Sequence, residues 1–495
     1  MSVISAPTTA ALASPVTDAL PLVRRPHVPG LWPARGDWGV CSVALVDPAT
    51  GRGRARLPLG STIDVDAAVA SARRFADRLA GGEALDRAGI LRRLIVEIDG
   101  RREDLAQAIS ADMGSPIDFA RSKQVDAACD HLRATLSAME AGDRDVVAPG
   151  GHEVTYGPAG VAALITPWNW PLNQVALKVG GALAAGCAMV LKPSELSTGA
   201  ALIFAECMQA AGAPDGLFNL VVGDGNTGAA LAGHPGVDIV SFTGSTAVGR
   251  KIAAAAGANL VPVLLELGGK SPNILFGDCD LPLAVQQGMA HCFRNSGQSC
   301  NAASRMLVAE EIYPQTVAMA AAEAASYRFG PPSEPGGHLG PLVSAAQFDR
   351  VQAHIERALT QGAKLVAGGL GRDPDMAEGY YPRATVLADV TPDMDVFHQE
   401  VFGPVLTMTP FESEEDAIRL ANASDYGLAG YIQTADPNRQ RRVAERLRVG
   451  MVQINGRSRA PGAPFGGVGQ SGFGREAGLW GIRAFQVVKS VSGLD

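Results

Sequence analysis

The sequence predicts an α/β fold built on mostly parallel sheets, and two observations lead to this class. From residue 160 onward, short apolar runs alternate with segments of helical periodicity, which is the pattern of strand–helix–strand units in a parallel sheet. The chain also contains 58 glycines in 495 residues, which indicates many tight turns and close backbone approaches, often around a cofactor. A chain of this length is expected to form about three domains.

The N-terminal part is predicted to hold a loose arm followed by helices. Residues 1–25 are rich in Ala, Pro, Ser and Thr, without a basic start or a sustained apolar core. We therefore expect a disordered or loosely attached arm rather than a secretory signal. Residues 64–79 place apolar side chains at helical spacing with arginines on the other face, and a second helical region spans 86–113 with a break near Gly100.

Two blocks of alternating strands and helices follow. The first block contains predicted strands at 161–165, 188–191, 218–222, 239–242 and 261–265, with helices at 198–211 and 246–256. The second block, between residues 272 and 455, contains predicted strands at 305–308, 405–409, 430–433 and 451–454. Ligands of such sheets bind at the carboxyl ends of the strands, so polar motifs that follow strands are the candidate site residues.

The C-terminal part is predicted to be a glycine-rich loop and a last strand. Five glycines fall between residues 464 and 474. The tail, residues 484–491, has the composition of a strand but only weak alternation of polar and apolar residues. We therefore expect this strand to pair with another subunit.

Charge and composition exclude several classes of function. The net charge is −8 and the pI about 5.6, which gives no electrostatic reason to expect nucleic acid or an anionic membrane as a partner. No run approaches the 18 apolar residues of a membrane span. The seven cysteines form no Cys-x-x-Cys pair and the eight histidines no His-x-x-x-His pair, so we expect no disulfide framework, no metal site and a reducing, cytoplasmic compartment.

Cys300 is the leading candidate nucleophile. It closes the run Asn295-Ser296-Gly297-Gln298-Ser299-Cys300. Upstream, the run Glu266-Leu267-Gly268-Gly269-Lys270 places a carboxylate in an apolar, glycine-rich setting. A cysteine together with a candidate base indicates a covalent intermediate that is later hydrolysed. The alternative for any single cysteine is a small buried hydrophobe.

Three further motifs follow predicted strands. The segment 242–249 ends a strand and opens a helix with the spacing Gly-x-x-x-x-Gly, so that backbone N–H groups can face a phosphate; the alternative is a purely structural turn. Lys192 and Glu195 can bind ribose hydroxyls or form a surface ion pair. Asn169, between Trp168 and Trp170, can donate to a developing oxyanion or cap a proline-stiffened turn.

Taken in order, these motifs resemble the NAD(P)-dependent aldehyde dehydrogenase superfamily, in its non-acylating, hydrolytic branch. The resemblance covers residues 30 to 490 or so, and several motifs in one order make it specific. The motifs are Pro-Trp-Asn at 167–169, Lys-Pro-Ser-Glu at 192–195, Phe-Thr-Gly-Ser at 242–245, Glu-Leu-Gly-Gly-Lys at 266–270, Gly-Gln-Ser-Cys at 297–300, Glu-Val-Phe-Gly-Pro at 400–404 and the glycine loop at 464–474.

The resemblance implies a role for each catalytic position. Cys300 would attack the aldehyde carbon, and Asn169 with the backbone N–H of Cys300 would form the oxyanion hole. After hydride transfer, Glu266 would activate the water that hydrolyses the thioester. Lys178 and Glu476 match positions assigned to proton relay.

The resemblance also implies NAD as cofactor. Lys192 and Glu195 would hold the adenosine ribose, Ser245 the pyrophosphate and Glu400 the nicotinamide ribose. A carboxylate such as Glu195 repels a 2′-phosphate, so NAD is favoured over NADP. The implied cofactor-binding positions are Thr166, Trp168, Lys192, Ser194, Glu195, Gly225, Phe242, Gly244, Ser245, Val248, Leu267, Gly268, Glu400 and Phe402.

The substrate is less constrained by the sequence. Arg294 lies six residues before Cys300, and resembles an arginine that binds the distal carboxylate in succinate-semialdehyde dehydrogenases. The second arginine of those enzymes would fall at Leu177, which is apolar here. We therefore expect a medium-sized aldehyde, aromatic or with one polar end. The substrate-lining positions implied are Trp170, Gln174, Leu177, Arg294 and Asn301.

Alternative functions remain open at this point. A semialdehyde dehydrogenase specific for a carboxylated substrate bound by Arg294 is one. A cysteine-dependent ester or thioester hydrolase and a non-catalytic binding protein are others.

The resemblance further implies three structural units, a homodimer or homotetramer, and no metal. The predicted division is an arm at 1–25, an NAD-binding domain at 26–123 and 148–265, a catalytic domain at 266–460, a small β oligomerisation element at 124–147 and 484–495, and a glycine-rich loop and connection at 461–483.

Overall fold

A computed structural model of the chain describes residues 20–23, 31–32, 41–142 and 152–493. The arm predicted for residues 1–25 therefore lies almost entirely outside the described residues. None of the helices in the described ranges is long and apolar enough to cross a membrane.

The strands, in chain order, are β1 (Leu31–Trp32), β2 (Ser42–Val46), β3 (Gly53–Pro58), β4 (Glu153–Pro158), β5 (Val161–Ile165), β6 (Ala188–Lys192), β7 (Phe218–Val221), β8 (Ile239–Thr243), β9 (Val263–Glu266), β10 (Pro272–Leu275), β11 (Arg305–Ala309), β12 (Lys364–Ala367), β13 (Thr385–Ala388), β14 (Val405–Phe411), β15 (Tyr426–Gly427), β16 (Ala429–Gln433), β17 (Met451–Ile454), β18 (Val468–Gly469), β19 (Gly472–Phe473) and β20 (Gln486–Val491).

The α-helices are α1 (Thr62–Ala80), α2 (Arg87–Gly100), α3 (Arg102–Met113), α4 (Ile117–Phe119), α5 (Asp126–Ala141), α6 (Pro171–Ala185), α7 (Gly199–Ala210), α8 (Gly225–Ala232), α9 (Thr246–Gly257), α10 (Leu281–Phe293), α11 (Tyr313–Ala324), α12 (Ala345–Thr360), α13 (Asp395–His398), α14 (Glu414–Asn422), α15 (Pro437–Arg446) and α16 (Gly478–Arg483). The predicted break near Gly100 is the boundary between α2 and α3.

The first sheet contains seven strands in the order β1-β7-β6-β5-β8-β9-β19. Its strands run parallel except β19, which pairs antiparallel with β9. Every residue of β5, β6 and β8 is buried, as expected for strands that helices cover on both faces. The carboxyl ends of β5 to β9 therefore lie along one edge of the sheet.

The second sheet also contains seven strands, in the order β12-β13-β14-β11-β10-β16-β17. All its pairs are parallel except β12 with β13. Each sheet has its own apolar core, and the core of the second sheet is divided between its two faces. The α/β class and the parallel sheets expected from the sequence are confirmed.

The C-terminal strand forms a two-stranded sheet within the chain. β20 pairs antiparallel with β4, which begins at Glu153 and so after the range 124–147 assigned to the oligomerisation element. Within that range, residues 126–141 form α5, because Cys129, Leu132 and Thr135 recur at helical spacing and are buried. The division into domains stays a prediction.

Candidate active site

The polar motifs predicted from the sequence meet at the carboxyl edge of the first sheet. Thr166 follows β5, and Lys192 is the last residue of β6. Thr243 and Glu266 end β8 and β9 and lie opposite each other in the parallel register. Helices and loops that begin at this edge bring their first residues to the same place, as the topology of a parallel sheet requires.

The loop before Cys300 has an unusual backbone. Asn295 and Ser296 both have φ of 55°, and Gly297 has φ of 74°. A Cβ atom on Gly297 would lie 2.1 Å from the backbone of Gly403, so only glycine fits there. Left-handed backbone costs a non-glycine residue roughly 1–3 kcal/mol, and such conformations cluster at functional sites. The loop holds Cys300 at the point where two cavities meet.

Asn169 is fixed against this loop by reciprocal hydrogen bonds. Its side-chain Nδ2 donates to the carbonyl of Gln298 at 3.0 Å, and its own carbonyl accepts from Asn295 Nδ2 at 2.9 Å. The side chain is 4% exposed. An amide nitrogen carries two N–H groups, so the second remains available to a group bound at Cys300.

The surroundings of Cys300 disfavour the thiolate form of its side chain. Burial raises its pKa, and the carboxylates of Glu400 and Glu266 raise the pKa further. The backbone N–H groups of Asn301 and Cys300 lower that pKa but do not outweigh burial. Because the thiolate is the nucleophilic form, deprotonation must accompany attack on a substrate, with a nearby base as acceptor.

Glu266 has the properties expected of that base. It is buried, and its Oε2 has no hydrogen-bond partner among the described residues. Burial, followed by the neighbouring carboxylate of Glu476, raises the pKa of Glu266 well above the ordinary value, while Lys178 lowers it. Lys178 in turn donates to Ser241 Oγ at 2.8 Å and to Glu476 Oε1 at 2.6 Å.

The antiparallel pairing of β9 with β19 sets Glu266 against the C-terminal glycine loop. Gly472 lies opposite Glu266 in the register. A Cβ on Gly466, where φ is 146°, would lie 2.5 Å from Glu266 Oε1. Glycine at residue 466 therefore makes room for the carboxylate. The loop also carries Glu476, whose backbone exchanges hydrogen bonds with Phe465.

Cys300 lies where two cavities adjoin, and Gln174 lines both with it. The first cavity contains the predicted positions Trp168, Asn169, Gly244, Ser245, Leu267, Gly268, Glu400 and Phe402, together with Pro167, Thr243, Gln347 and Arg350. The second contains the predicted positions Trp170, Arg294 and Asn301, together with Ala127, Asp130, His131, Asn173, His291, Gln453, Ser458, Arg459, Pro461 and Phe465.

Glu400 and Phe402 reach the first cavity from the second sheet. Glu400 Oε1 accepts from the backbone N–H of Gly269 at 3.0 Å, and a Cβ on Gly268 would lie 2.3 Å from its Oε2. Burial raises the pKa of Glu400 to about 7. Phe402, at φ of 59°, packs edge-on against Trp168 with ring centroids 5.4 Å apart.

The remaining predicted cofactor positions extend along the same sheet edge. Lys192 Nζ lies 3.6 Å from Glu195 Oε2. Ser245 caps α9 by accepting from the N–H of Val248 at 3.4 Å. Thr166, Ser194 and Phe242 are buried beside the strand ends, and Gly225 opens α8.

The geometry of this edge suits a dinucleotide. Thr166 Oγ1 and Thr243 Oγ1 are buried without hydrogen-bond partners among the described residues. The N-terminus of the 12-residue helix α9 adjoins the first cavity through Ser245 and favours an anion such as a phosphate.

The seven cysteines are all free thiols, and no cluster of metal-ligating side chains occurs in the ranges that the structure describes.

Arg294 is the polar centre of the second cavity. Its guanidinium lies 5.8 Å from the centroid of the Trp170 ring, and no salt bridge joins it to another residue in the part of the chain that the structure describes. Burial lowers the pKa of Arg294. Arg459 is a second arginine in this wall, stacked 5.2 Å from Phe465 and bonded to the carbonyl of Ala463.

The structure differs from the prediction at one substrate position and adds site residues that the sequence did not indicate. Leu177, predicted to line the substrate cavity, is buried on α6 and contributes to neither cavity; all of α6 except Asn173 is buried. Arg459 instead supplies a second cation, from a loop more than 150 residues after Cys300. Gln347 and Arg350 on α12 bind the carbonyls of Phe402 and Glu400, and no local motif marked them.

Comparison with known proteins gives one consistent answer. The family model described as "Aldehyde dehydrogenase family" matches residues 39–491. A 3-succinoylsemialdehyde-pyridine dehydrogenase from a Pseudomonas species is 41% identical over 93% of this chain and 98% of its own length.

Solved structures agree with the sequence comparison. An aldehyde dehydrogenase from Bartonella henselae aligns with a TM-score of 0.89 and 43% identity, over 91% of this chain and 96% of that one. A mutant of aldehyde dehydrogenase C from Pseudomonas syringae, in complex with NAD+ and octanal, gives the same TM-score and identity over 91% and 93%.

Proposed function

This chain belongs to the aldehyde dehydrogenase family and oxidises an aldehyde to a carboxylic acid with NAD; we propose that Cys300, Glu266 and Asn169 carry out the chemistry. The observation that carries this assignment is the position of Cys300 at the junction of a cofactor-type cavity and a second cavity. An aldehyde entering through the second cavity meets the thiol beside the nicotinamide.

Acylation begins at the thiol. Cys300 Sγ bonds to the aldehyde carbon while its proton passes to a base, and we assign this role to Glu266 because its raised pKa suits a proton acceptor. The carbonyl oxygen becomes an oxyanion, which the free N–H of Asn169 and the backbone N–H of Cys300 stabilise without any charged donor. Both donors belong to the rigid loop and turn described above.

A bound NAD would supply the acceptor for the hydride of this tetrahedral adduct, and loss of the hydride would leave a thioester on Cys300. Lys192 and Glu195 would hold the adenosine ribose, and Ser245 with the N-terminus of α9 would face the pyrophosphate. Glu400 would accept from the nicotinamide ribose, because Gly269 occupies only one of its oxygens. Phe402 and Trp168 would confine the ring.

Deacylation is the second role of Glu266. Its carboxylate takes a proton from water, the water oxygen attacks the thioester carbon, and the Cys300–carbon bond breaks to release the acid. The proton can then leave through the buried pair of Lys178 and Glu476, which faces Glu266. Removal of this base should affect deacylation more than acylation.

The substrate is an aldehyde of medium size with a polar end. The relative from Pseudomonas is named for a succinoyl semialdehyde, and a structural neighbour was solved with octanal. The second cavity of this chain combines the aromatic surfaces of Trp170 and Phe465 with Arg294 and Arg459. That mixture suits an apolar chain that carries a hydrogen-bond acceptor away from the aldehyde.

We also propose a homo-oligomer in the cytoplasm. Among the residues that the structure describes, β20 pairs only with β4, in a two-stranded sheet, and it exposes Val487 and Val488, at 53% and 64%. An exposed apolar strand edge is a common site of pairing between chains. The molar mass in solution, measured by light scattering on the wild type and on Val488→Lys, tests this proposal.

The function is tested by NADH formation at 340 nm over a panel of short, long, aromatic and carboxylated aldehydes, each with NAD and with NADP. Cys300→Ala is the control and should lose all turnover. Hydrolysis of esters without any NADH formation in the wild type would instead favour a hydrolase.

A further inference from the structure

Cys300 lies in a tight turn of the backbone. The N–H of Ala302 donates to the carbonyl of Ser299 at 3.0 Å, so Cys300 and Asn301 are the two central residues of a β-turn. Burial raises the pKa of the Cys300 thiol, whereas the backbone N–H groups of Asn301 and Cys300 lower it. The shape of the turn directs these N–H groups and therefore affects both the thiol and the proposed oxyanion hole.

Both chain neighbours of Cys300 are held by an aromatic side chain from outside the turn. Trp170 Nε1 donates to Ser299 Oγ at 2.9 Å, and the Tyr431 hydroxyl donates to the carbonyl of Asn301 at 2.7 Å. Trp170 directly precedes α6 at the edge of the first sheet, whereas Tyr431 lies in β16 of the second sheet. Each sheet therefore contributes one hydrogen bond to the turn, and we call Trp170 and Tyr431 the anchor residues.

The ring of Tyr431 is fixed by its surroundings. Tyr431 is 5% exposed and belongs to an apolar cluster that includes Met451 and borders Cys300. Its ring centroid lies 4.6 Å from that of His291, whose Nε2 is 3.3 Å from the Tyr431 oxygen. The carbonyl of Asn301 is the closer partner and can only accept, so the phenol hydrogen points to it. Burial raises the pKa of Tyr431, so the hydroxyl keeps this hydrogen at neutral pH.

The anchor residues restrict the part of the backbone that matters for the chemistry. The hydrogen bonds are made by the residues directly before and after Cys300, so they limit rotation of the peptide groups that carry the N–H groups of Cys300 and Asn301. Reacting groups must be held to within about 0.5 Å of the productive geometry. Supports of this kind act by positioning and need no contact with the substrate.

We propose that Tyr431 and Trp170 are positioning residues that hold the turn of residues 299–302, and with it the thiol and N–H of Cys300, in the reactive arrangement. Tyr431 acts through the carbonyl of Asn301, and Trp170 acts through the hydroxyl of Ser299. The proposal rests on the proposed function and deepens it by adding residues that control acylation.

The first test removes each anchoring hydrogen bond singly. Tyr431→Phe keeps the ring but loses the hydroxyl, and Ser299→Ala keeps the indole of Trp170 but removes its acceptor. With saturating NAD and an aldehyde that the wild type oxidises, the burst rate of NADH formation should fall about three- to tenfold in each variant, as expected for one neutral hydrogen bond. The KM for NAD should stay within about twofold of the wild type, because neither Tyr431 nor Ser299 lines the first cavity.

The second test does not require turnover. The rate at which iodoacetamide alkylates Cys300 at a fixed, mildly alkaline pH, followed by peptide mass spectrometry, reports the thiolate fraction. This rate should also fall about three- to tenfold in Tyr431→Phe and in Ser299→Ala, because misdirected N–H groups stabilise the thiolate less. If Tyr431 served the fold alone, Tyr431→Phe would lower the melting temperature and leave both rates at the wild-type values.

Tyr313→Phe is the matched control. It also removes a tyrosine hydroxyl, which donates to Asp389 Oδ1 at 3.0 Å, and Tyr313 lines neither cavity at Cys300. This variant should keep the wild-type burst and alkylation rates, and losses equal to those of Tyr431→Phe would overturn the proposal.

The two anchor residues can fail separately. Unchanged burst and alkylation rates in Tyr431→Phe would overturn the role of Tyr431, and the same result in Ser299→Ala would overturn that of Trp170, while NADH formation by the wild type left the proposed function intact. A wild type that forms no NADH with any aldehyde would instead contradict the proposed function, and the alkylation rates would still decide whether the turn is held as proposed.

Discussion

Lys178 Nζ donates to Glu476 Oε1 over 2.6 Å, and both side chains are almost completely buried, at 0% and 4% exposure. The pair comes from α6 and from the chain just before α16, 298 residues apart. Its two charges act in opposite directions on Glu266: the carboxylate raises the pKa of Glu266 and the ammonium lowers it. Burial is the largest cause of the raised pKa of Glu266, and these two charges adjust that pKa further.

The pH dependence of turnover should move in opposite directions in two variants. A general base acts when it is deprotonated, so steady-state turnover should rise with pH through the pKa of Glu266. Glu476→Gln removes a charge that raises this pKa and should move the rise to lower pH. Lys178→Met removes a charge that lowers it and should move the rise to higher pH, each by roughly one unit. Profiles from pH 5 to 10 measure both, and a shift of both variants in one direction would contradict the arrangement.

The ionisation of Glu266 should also make the thermal stability of the protein depend on pH. Because the pKa of Glu266 is raised in the folded state, its protonated form stabilises the fold at low pH, and that contribution is lost as pH rises through the folded pKa. Glu266→Gln cannot ionise. The melting temperature of the variant, relative to the wild type, should therefore increase between pH 5 and pH 9. A difference that stays constant or falls with pH would show that Glu266 is not buried in this way.

The side chain of Asn169 should increase the rate of acylation. Asn169→Ala removes the side-chain donor of the proposed oxyanion hole and should lower the burst rate of NADH formation by about 100- to 1000-fold. Asn173→Ala is a matched control, four residues later and directed at the second cavity. Stopped-flow absorbance with saturating NAD separates the two. Equal losses in both variants would argue for a general effect on the helix.

Glu195 should control the choice between NAD and NADP. Its carboxylate lies 3.6 Å from Lys192 Nζ at the predicted ribose position, where it would repel a 2′-phosphate. Glu195→Gln should raise kcat/KM for NADP by about tenfold with a smaller effect on NAD. Glu83→Gln, at an exposed glutamate paired with Arg78, is the control. A wild type with higher kcat/KM for NADP than for NAD would contradict this role.

The fold could be predicted from the sequence because its strands are contiguous apolar runs. The predicted strand 161–165 coincides with β5, and 451–454 coincides with β17. Strand-end motifs led to Asn169 and Glu266 for the same reason, since the carboxyl ends of parallel strands meet at one edge, whereas Cys300 was found from its own motif, which follows α10. These residues are brought together by rules that act locally along the chain.

Residues contributed by distant loops could not be predicted in this way. Arg459 reaches the second cavity from a loop and His131 from α5, and neither segment carries a strand-end motif. Leu177 was implied by the resemblance to semialdehyde dehydrogenases, but packing around α6 buries it away from both cavities. Tertiary packing, not local pattern, decides such positions.

The most direct test of the account is to trap the acyl-enzyme on Glu266→Gln. The variant is mixed with NAD and an aldehyde that the wild type oxidises, quenched in acid within the first turnover, and mapped by peptide mass spectrometry. The account predicts a burst of NADH near one per active site, an acyl adduct on the peptide that contains Cys300, and steady-state turnover about 100- to 10,000-fold below the wild type. A variant that turns over at the wild-type rate, or an adduct that forms on another residue, would contradict the roles assigned to Cys300 and Glu266.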